Sequence, residues 1–254
     1  MSAVLEVRGA SLAFGDRTLW HDLDLDVQPG EFLAVLGPNG TGKTSLLKAI
    51  LGQQALTAGD IAVAGGKASV GYIPQQKLVA DGTPIRARDL VGFGVSGTRW
   101  GLPLPRKGDR ARVDEILAAV GATDYASVPV SLLSGGEQQR LRVGQAIAGH
   151  PTLLLCDEPL LSLDLAHQRA VSELIDAQRA SGAAVVFVTH DVNPILGMVD
   201  RVLYLAGGTF RIGTPGEVLT SSVLSEMYNT PVDVFHSNGR VVVVGVPDEH
   251  GDHH

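Results

Sequence analysis

Nine residues, from Leu36 to Thr44, combine glycines with a lysine and a threonine in the order L-G-P-N-G-T-G-K-T. They contain the pattern G-x-x-x-x-G-K-[ST], in which backbone N–H groups, an ammonium group and a hydroxyl can surround a phosphate chain. An apolar run typical of a buried strand precedes the loop at 32–36, and a run with helical spacing follows at 45–51. Because a phosphate loop needs this strand and this helix, the context predicts a phosphate site rather than a chance glycine turn.

The last two residues of this loop carry the reactive groups. Lys43 is expected to reach the β- and γ-phosphates of a nucleotide, and the Thr44 hydroxyl is expected to bind Mg²⁺. A second apolar run, Leu153–Glu158, ends in two carboxylates, which would be costly at the end of a buried strand unless they had a use. We therefore expect Asp157 to hold Mg²⁺ through water and Glu158 to polarise a water molecule for attack on the γ-phosphate.

Residues Leu133–Arg140, with the order L-S-G-G-E-Q-Q-R, form a second motif at a predicted helix start. Ser134 followed three residues later by Glu137 is a capping box, in which each side chain binds a backbone N–H of the other residue. The two glycines between them leave further N–H groups open to solvent. By physical chemistry alone, the motif predicts a second helix start that can hold a phosphate.

Four further residues carry weaker signals, each at the end of a predicted element. Gln75 follows a proline that stops a strand, so its neutral amide can bind Mg²⁺ or orient water. Asp164 can cap a helix, and His190 ends an apolar strand where an imidazole can contact a γ-phosphate. Phe14 precedes a glycine turn and is either an exposed aromatic that stacks on adenine or an ordinary core residue.

The periodicity and composition indicate which elements position these residues. Short alternating strands at 4–7 and 23–27 predict an antiparallel sheet beside a parallel core. The net charge of −7 argues against general nucleic-acid binding. One cysteine, Cys156, excludes a disulfide framework and favours a reducing compartment. With no signal peptide and no run of about 18 apolar residues, we expect any membrane role to come through a partner.

The segment from Arg86 to Arg112 differs in charge from the rest of the chain. It has seven Arg and Lys residues against two aspartates, a net charge of +5 in a chain of −7. A solvated surface is the ordinary interpretation of such a run, and a docking face around Trp100 is the alternative.

In their order along the chain, these motifs resemble those of the ATP-binding-cassette (ABC) nucleotide-binding domain, over about residues 3–220. The loop Leu36–Thr44 resembles the Walker A loop, Leu133–Gln138 the signature motif, and Leu153–Glu158 the Walker B strand with its catalytic glutamate. The Q-, D- and H-loops of the family are matched by Gln75, Asp164 and His190. Phe14 stands where the family has a stacking aromatic, more often a tyrosine.

The resemblance implies an α/β fold with a RecA-like P-loop core and a mostly parallel sheet. It also implies an N-terminal antiparallel β subdomain and an inserted α-helical subdomain at about 77–149. The nucleotide-binding domain is expected over residues 1–230. Residues 231–254 are expected to form a β-hairpin, turning at Asn238-Gly239, and a tail rich in His and Asp.

The resemblance also assigns the site residues, with ATP and Mg²⁺ as the cofactors. The catalytic residues are expected to be Glu158, His190 and Gln75. The residues expected to bind ATP within the chain are Phe14, Gly37, Pro38, Asn39, Gly40, Thr41, Gly42, Lys43, Thr44 and Ser45. Those expected to bind the ATP of a second copy are Ser134, Gly135, Gly136, Gln138 and Asp164. The Mg²⁺ ligands are expected to be Thr44, Gln75 and Asp157.

A mechanism and a set of partners follow from the resemblance. Two copies of the chain would sandwich two ATP molecules, so a homodimer is expected. The dimer would drive integral membrane permease subunits from the cytoplasmic face of the membrane, with an extracytoplasmic substrate-binding protein as an indirect partner. Nucleic acid is not an expected partner.

Evidence for the subfamily comes from sequence similarities that are less specific than the ATP-binding motifs. The stretches Val188–Leu196, Asp200–Leu205 and Glu217–Val234 resemble the cassettes of manganese, zinc and iron importers. An importer of siderophore, haem or another nutrient, or an exporter, would share every ATP motif, so these remain alternatives. A non-transport ABC protein would need a coiled-coil insertion or a second cassette, and the chain has neither.

Overall fold

The computed structural model of the protein describes residues 2–75, 85–96, 108–237 and 239–245. The basic side chains Arg99, Arg106 and Lys107, with Trp100, lie outside these ranges, and so does the tail after residue 245. Along the described part of the chain, no helix is both long enough and apolar enough to cross a bilayer.

A six-stranded sheet forms the centre of the molecule. Its strands are β3 (Phe32–Leu36), β5 (Val70–Ile73), β6 (Leu153–Asp157), β7 (Ala184–Val188), β8 (Arg201–Ala206) and β9 (Thr209–Gly213). They lie in the order β5-β6-β7-β3-β8-β9, and all neighbours are parallel except β8 and β9. Every residue of β3, β6 and β7 is buried, which is why these strands are apolar along their whole length. Because parallel strands end at one edge, the loops after β3, β5, β6 and β7 meet there.

A second, antiparallel sheet packs beside the first. It contains β1 (Leu5–Phe14), β2 (Arg17–Val27) and β4 (Ala58–Val63), in the order β2-β1-β4. Leu23, Leu25 and Val27 are buried while the residues between them are more exposed, as the alternation predicts. The buried side chains of this sheet share one apolar cluster with β3 and with helix α1 (Lys43–Ile50). The predicted antiparallel sheet beside a parallel core is confirmed.

Helices α2 (Ala87–Ser96), α3 (Asp109–Ala119) and α4 (Gly135–Ile147) pack around their own apolar cluster, which includes Val91, Ile116 and Leu141. Helix α4 then returns along the central sheet. A Cβ on Gly71 of β5 would lie only 2.6 Å from the Ala146 carbonyl oxygen of α4, so the glycine permits this close approach. Helix α5 (Leu165–Ala180) follows β6.

The chain ends in helices α6 (Pro215–Val218) and α7 (Ser221–Tyr228) and a hairpin of β10 (Val232–Ser237) and β11 (Arg240–Gly245). Ser237 pairs with Arg240 at the end of this hairpin, and Asn238 of the predicted turn lies outside the described residues. The Asn193 side chain donates to the Val241 carbonyl at 2.9 Å and accepts from its N–H at 2.8 Å. These two bonds join the hairpin to the core.

Candidate functional site

The loop between β3 and α1 owes its shape to glycine. Gly37, Gly40 and Gly42 have φ angles of +135°, +80° and +96°, in the region that favours glycine. At Gly37 a side chain would also overlap the Leu205 carbonyl oxygen, and at Gly42 a Cβ would lie 2.8 Å from Trp20 Nε1. The loop is therefore packed tightly against β8 and β2. Within the loop, Thr41 Oγ1 donates a hydrogen bond to the Pro38 carbonyl at 3.0 Å.

Lys43 begins α1 and lies folded back along the loop. Its Nζ donates to the Gly37 carbonyl at 2.7 Å and to the Pro38 carbonyl at 2.8 Å. Burial lowers the pKa of its ammonium group, while the charges of Glu158 and Asp157 oppose that shift. An ammonium group that donates to neutral carbonyls and is partly desolvated gains free energy from a nearby anion.

The next residue, Thr44, contacts the carboxylate at the end of β6. Thr44 Oγ1 donates to Asp157 Oδ1 at 3.0 Å, and the Tyr72 hydroxyl lies 3.4 Å from Asp157 Oδ2. Burial raises the pKa of the Asp157 carboxyl, and the hydrogen bond from Thr44 acts in the opposite direction. Burial likewise raises the pKa of Tyr72 to about 12, so this phenol stays protonated and can donate.

Glu158 follows Asp157 in an unusual backbone conformation. Its φ is +47°, in the left-handed region that a residue with a side chain rarely adopts. Its N–H donates to the Val188 carbonyl at 3.0 Å, which ties the bend to β7. Glu158 Oε2 lies 3.4 Å from Gln75 Nε2 and 3.8 Å from His190 Nδ1. The loops after β5, β6 and β7 thus bring these three predicted residues together, as the parallel sheet requires.

Lys43, Thr44, Gln75, Glu158 and His190 line a cleft of about 750 Å³. Phe14 is at its wall and is 51% exposed, so the core interpretation of this aromatic is wrong. Arg17 was not predicted from the sequence; it lines the cleft and its Nη2 donates to the Gly40 carbonyl at 2.9 Å. The remaining lining residues are Leu19, Asn39, Gly40, Gly42, Lys43, Thr44, Ser45, Gln75, Glu158, Leu161 and His190.

Oxygen donors in the cleft, and directly behind it at Asp157, fit a magnesium ion. The Thr44 hydroxyl, the Asp157 carboxylate and the Gln75 amide are hard oxygen donors, which Mg²⁺ prefers over nitrogen or sulfur. A buried carboxylate whose pKa is raised by desolvation also gains from a nearby cation. In the described residues no group of three or more His, Cys, Asp or Glu side chains could hold a metal ion. Thr44, Asp157 and Gln75 supply three oxygen donors, so they fit a Mg²⁺ ion that takes its other ligands from a bound phosphate and water.

The second predicted set of residues lies outside this cleft. Ser134 caps α4 in a full capping box with Glu137, and Asp164 caps α5 by accepting from the His167 N–H at 2.9 Å, as predicted. Gln138 is 3% exposed, and its Nε2 donates to the Leu133 carbonyl at 3.0 Å. Of the five residues expected to bind a second copy's ATP, none lines the cleft of its own chain.

Comparison with known proteins identifies the family. The profile of the ABC transporter family matches residues 20–161, more than half of the chain. The hemin import ATP-binding protein HmuV of Streptomyces coelicolor is 36% identical over 234 residues, which cover 89% of this chain and 84% of HmuV. The zinc import ATP-binding protein ZnuC of Roseobacter denitrificans is 31% identical over 229 residues, which cover 90% of this chain and 85% of ZnuC.

Longer relatives and a solved structure agree with this. The spermidine/putrescine import ATP-binding protein PotA of Bacteroides fragilis is 32% identical over 92% of this chain, but the chain spans only 50% of PotA. A chain described as part of a metal-chelate type ABC transporter in an inward-facing conformation superposes with a TM-score of 0.83. It is 28% identical, and the superposition covers 97% of this chain and 99% of that one. The chain therefore belongs to the ABC transporter family and has the fold of its ATP-binding cassettes.

Proposed function

We propose that this chain binds and hydrolyses ATP as the nucleotide-binding subunit of an ABC importer, at the cytoplasmic face of the membrane. One observation carries the proposal. The groups expected to bind and cleave ATP lie together at one cleft, while the groups expected to bind ATP from the other side lie elsewhere on the same chain. One chain thus carries the two complementary halves of an ATP site at separate places. Two copies, each facing the other, would complete two ATP sites.

Binding would begin with the triphosphate in the glycine loop. Lys43 would exchange its bonds to two backbone carbonyls for charge-assisted bonds to the β- and γ-phosphates. Phe14 would stack on the adenine ring, and Arg17 adds a second cation beside the loop. Thr44, Asp157 and Gln75 would hold the magnesium ion, which neutralises charge on the β- and γ-oxygens.

Hydrolysis would use the three side chains that converge beyond the loop. Glu158 would accept a proton from the attacking water, since its carboxylate is 15% exposed and is fixed by the bend after β6. Gln75 and His190, within 4 Å of that carboxylate, would orient the water and contact the γ-phosphate. Glu158 also lines the cleft, so its carboxylate is open to a nucleotide bound there.

Completion of the site would require a second copy. Ser134, Gly135 and Gly136 would present a capped helix start to the γ-phosphate held by the partner, and Asp164 would lie beside it. Gln138 stays in this predicted set, although its present bond to a backbone carbonyl suits a supporting role for the loop before α4. Permease subunits are the proposed partners for the helical region, with an extracytoplasmic binding protein as an indirect one.

For the cargo we propose a divalent transition metal, namely manganese, zinc or iron. Support comes from relatives named as zinc and manganese import or transport proteins, which are 31% identical and of which the chain covers 85% and 92%. A haem or metal-chelate cargo is the second candidate. It is favoured by the 36% identity to a hemin import protein and by the metal-chelate type transporter that superposes over almost the whole chain.

Deletion of the gene in metal-poor medium tests the cargo. The divalent-metal proposal predicts that cellular manganese, zinc or iron falls, as measured by elemental analysis, and that a plasmid copy restores the level. A plasmid copy carrying Glu158→Gln should not restore it. If all three metals stay level while haem or siderophore uptake collapses, the second candidate replaces the first.

A further inference from the structure

The start of α4 lies directly against the start of α5, and one imidazole fills the contact. Gly136 is buried in the first turn of α4 and has an ordinary helical backbone, so conformational freedom does not explain the glycine. A Cβ added to Gly136 would overlap the ring of His167 from α5, with Cγ and Nε2 of that ring at 2.7 Å. Glycine is therefore required at position 136 for steric reasons, because any side chain there would occupy the volume of the His167 ring.

The ring itself is held in place by the residue that caps α5. His167 Nδ1 lies 2.8 Å from Asp164 Oδ1, and the same oxygen accepts the His167 backbone N–H at 2.9 Å. Because an ionised carboxylate only accepts hydrogen bonds, Nδ1 must carry the hydrogen. These bonds from His167, led by the backbone one, hold the pKa of the Asp164 carboxyl below its usual range, so the acceptor stays ionised.

The other end of the contact is also fixed. The Glu137 carboxylate accepts from the Ser134 hydroxyl at 2.7 Å and from its N–H at 2.8 Å, which orders the first turn of α4. Those bonds also lower the pKa of the Glu137 carboxyl, with a smaller contribution from nearby His167. The ring thus lies between two ordered helix starts and contacts both, although the sequence separates them by about thirty residues.

We propose that His167 is a positioning residue that joins the signature turn at Ser134–Gly136 to the Asp164 loop within one chain. The two groups expected to contact a partner's ATP are then a single rigid surface instead of two independent loops. This inference rests on the proposed function, because it assigns His167 to the half-site that acts on the second copy. His167 does not line the cleft, so it positions the other groups without contacting the chain's own nucleotide.

Steady-state kinetics of ATP hydrolysis test the proposal. His167→Ala should lower kcat roughly tenfold by loosening the partner-facing surface, while KM for ATP and the affinity of the monomer for a fluorescent ATP analogue change less than about twofold. His167→Asn keeps a side-chain N–H that can reach Asp164, so it should recover most of the rate. Arg169→Ala is the matched control, because Arg169 lies on the same helix and pairs there with the exposed Glu173.

A double-mutant cycle on thermal stability tests the contact without relying on ATP. Gly136→Ala alone should lower Tm by about 5 °C, since the added methyl overpacks the contact with the His167 ring. In the His167→Ala background the added methyl has room, so the same change should cost less than half as much. If Gly136→Ala alone does not fold, folding of the double variant supports the proposal, and its failure contradicts it.

Several results would overturn the inference. These are wild-type kcat for His167→Ala, a His167→Asn variant as slow as His167→Ala, or additive Tm losses in the double variant. Failure of the proposed function looks different: the wild-type chain would then hydrolyse no ATP with its partners present, while the Tm cycle would still report on the contact.

Discussion

Replacement of Glu158 by glutamine isolates the proposed proton acceptor, because it changes the charge and basicity of the side chain and little else. Glutamine has the same shape and can keep a contact with Gln75, whose Nε2 lies 3.4 Å from Glu158 Oε2. The backbone cost of φ +47° is similar for both residues, so we expect Glu158→Gln to fold as the wild type does.

The size of the effect follows from what is removed. A positioned general base contributes about 10²–10⁴-fold to a rate, so kcat should fall by at least about 10²-fold, or roughly 2.7 kcal/mol of barrier. Binding should survive. Lys43 keeps Asp157 as an anionic neighbour, and the loss of a second carboxylate removes repulsion of the phosphates. We therefore expect ATP affinity to stay level or rise.

The assay combines phosphate release with light scattering after size exclusion. Wild-type chain should turn over ATP, whereas Glu158→Gln should accumulate as an ATP-bound dimer. The matched control is Glu173→Gln, since Glu173 is exposed on α5 and pairs with the exposed Arg169; its turnover should equal that of the wild type. Turnover of Glu158→Gln within twofold of the wild type would refute the general-base assignment.

Three other predictions concern the rest of the chain. Asn193→Ala removes both bonds to the backbone of β11 and should lower stability by about 1–3 kcal/mol, seen as a fall in Tm, with little change in ATP affinity. Removal of residues 247–254 should leave folding and ATP hydrolysis nearly unchanged, and at most abolish feedback at high metal in cells. Reversal of three basic residues to glutamate should leave basal ATPase activity intact but weaken co-purification with membrane subunits; unchanged assembly would favour a merely solvated surface. Those residues are Arg99, Arg106 and Lys107.

The sequence predicts the central sheet and the loops at its edge because each motif has its own local signal. An apolar run followed by G-x-x-x-x-G-K-T specifies β3, the loop and α1 without reference to the rest of the chain. The residues that were missed lack such a signal. Arg17 reaches the loop only because it pairs with Phe14 across the β1–β2 turn. Had the pairing of residues in the β1–β2 hairpin been predicted from the sequence, it would have placed Arg17 opposite Phe14 and therefore at the cleft.

Gly136 shows a different limit of sequence analysis. A glycine at a capped helix start is consistent with exposed N–H groups, and that explanation needs no other residue. The structure adds a reason that no local pattern contains, because His167 comes from a separate helix and fills the space. Tyr72 is a similar case: its contact with Asp157 depends on the parallel pairing of β5 with β6. Contacts of this kind become visible only when the elements are placed together.

The pairing of β5 with β6 has a consequence for how such a chain can diversify. About eighty residues separate the two strands in sequence, yet Ile73 lies opposite Cys156 in the sheet. Gln75 and Asp157 are thus fixed relative to each other by the strands, whatever the intervening helices do. Those helices can be lengthened, shortened or resurfaced during evolution without disturbing the chemistry at the sheet edge. Under the proposed function, one ATP-hydrolysing core could in this way be fitted to different membrane partners by changes between β5 and β6.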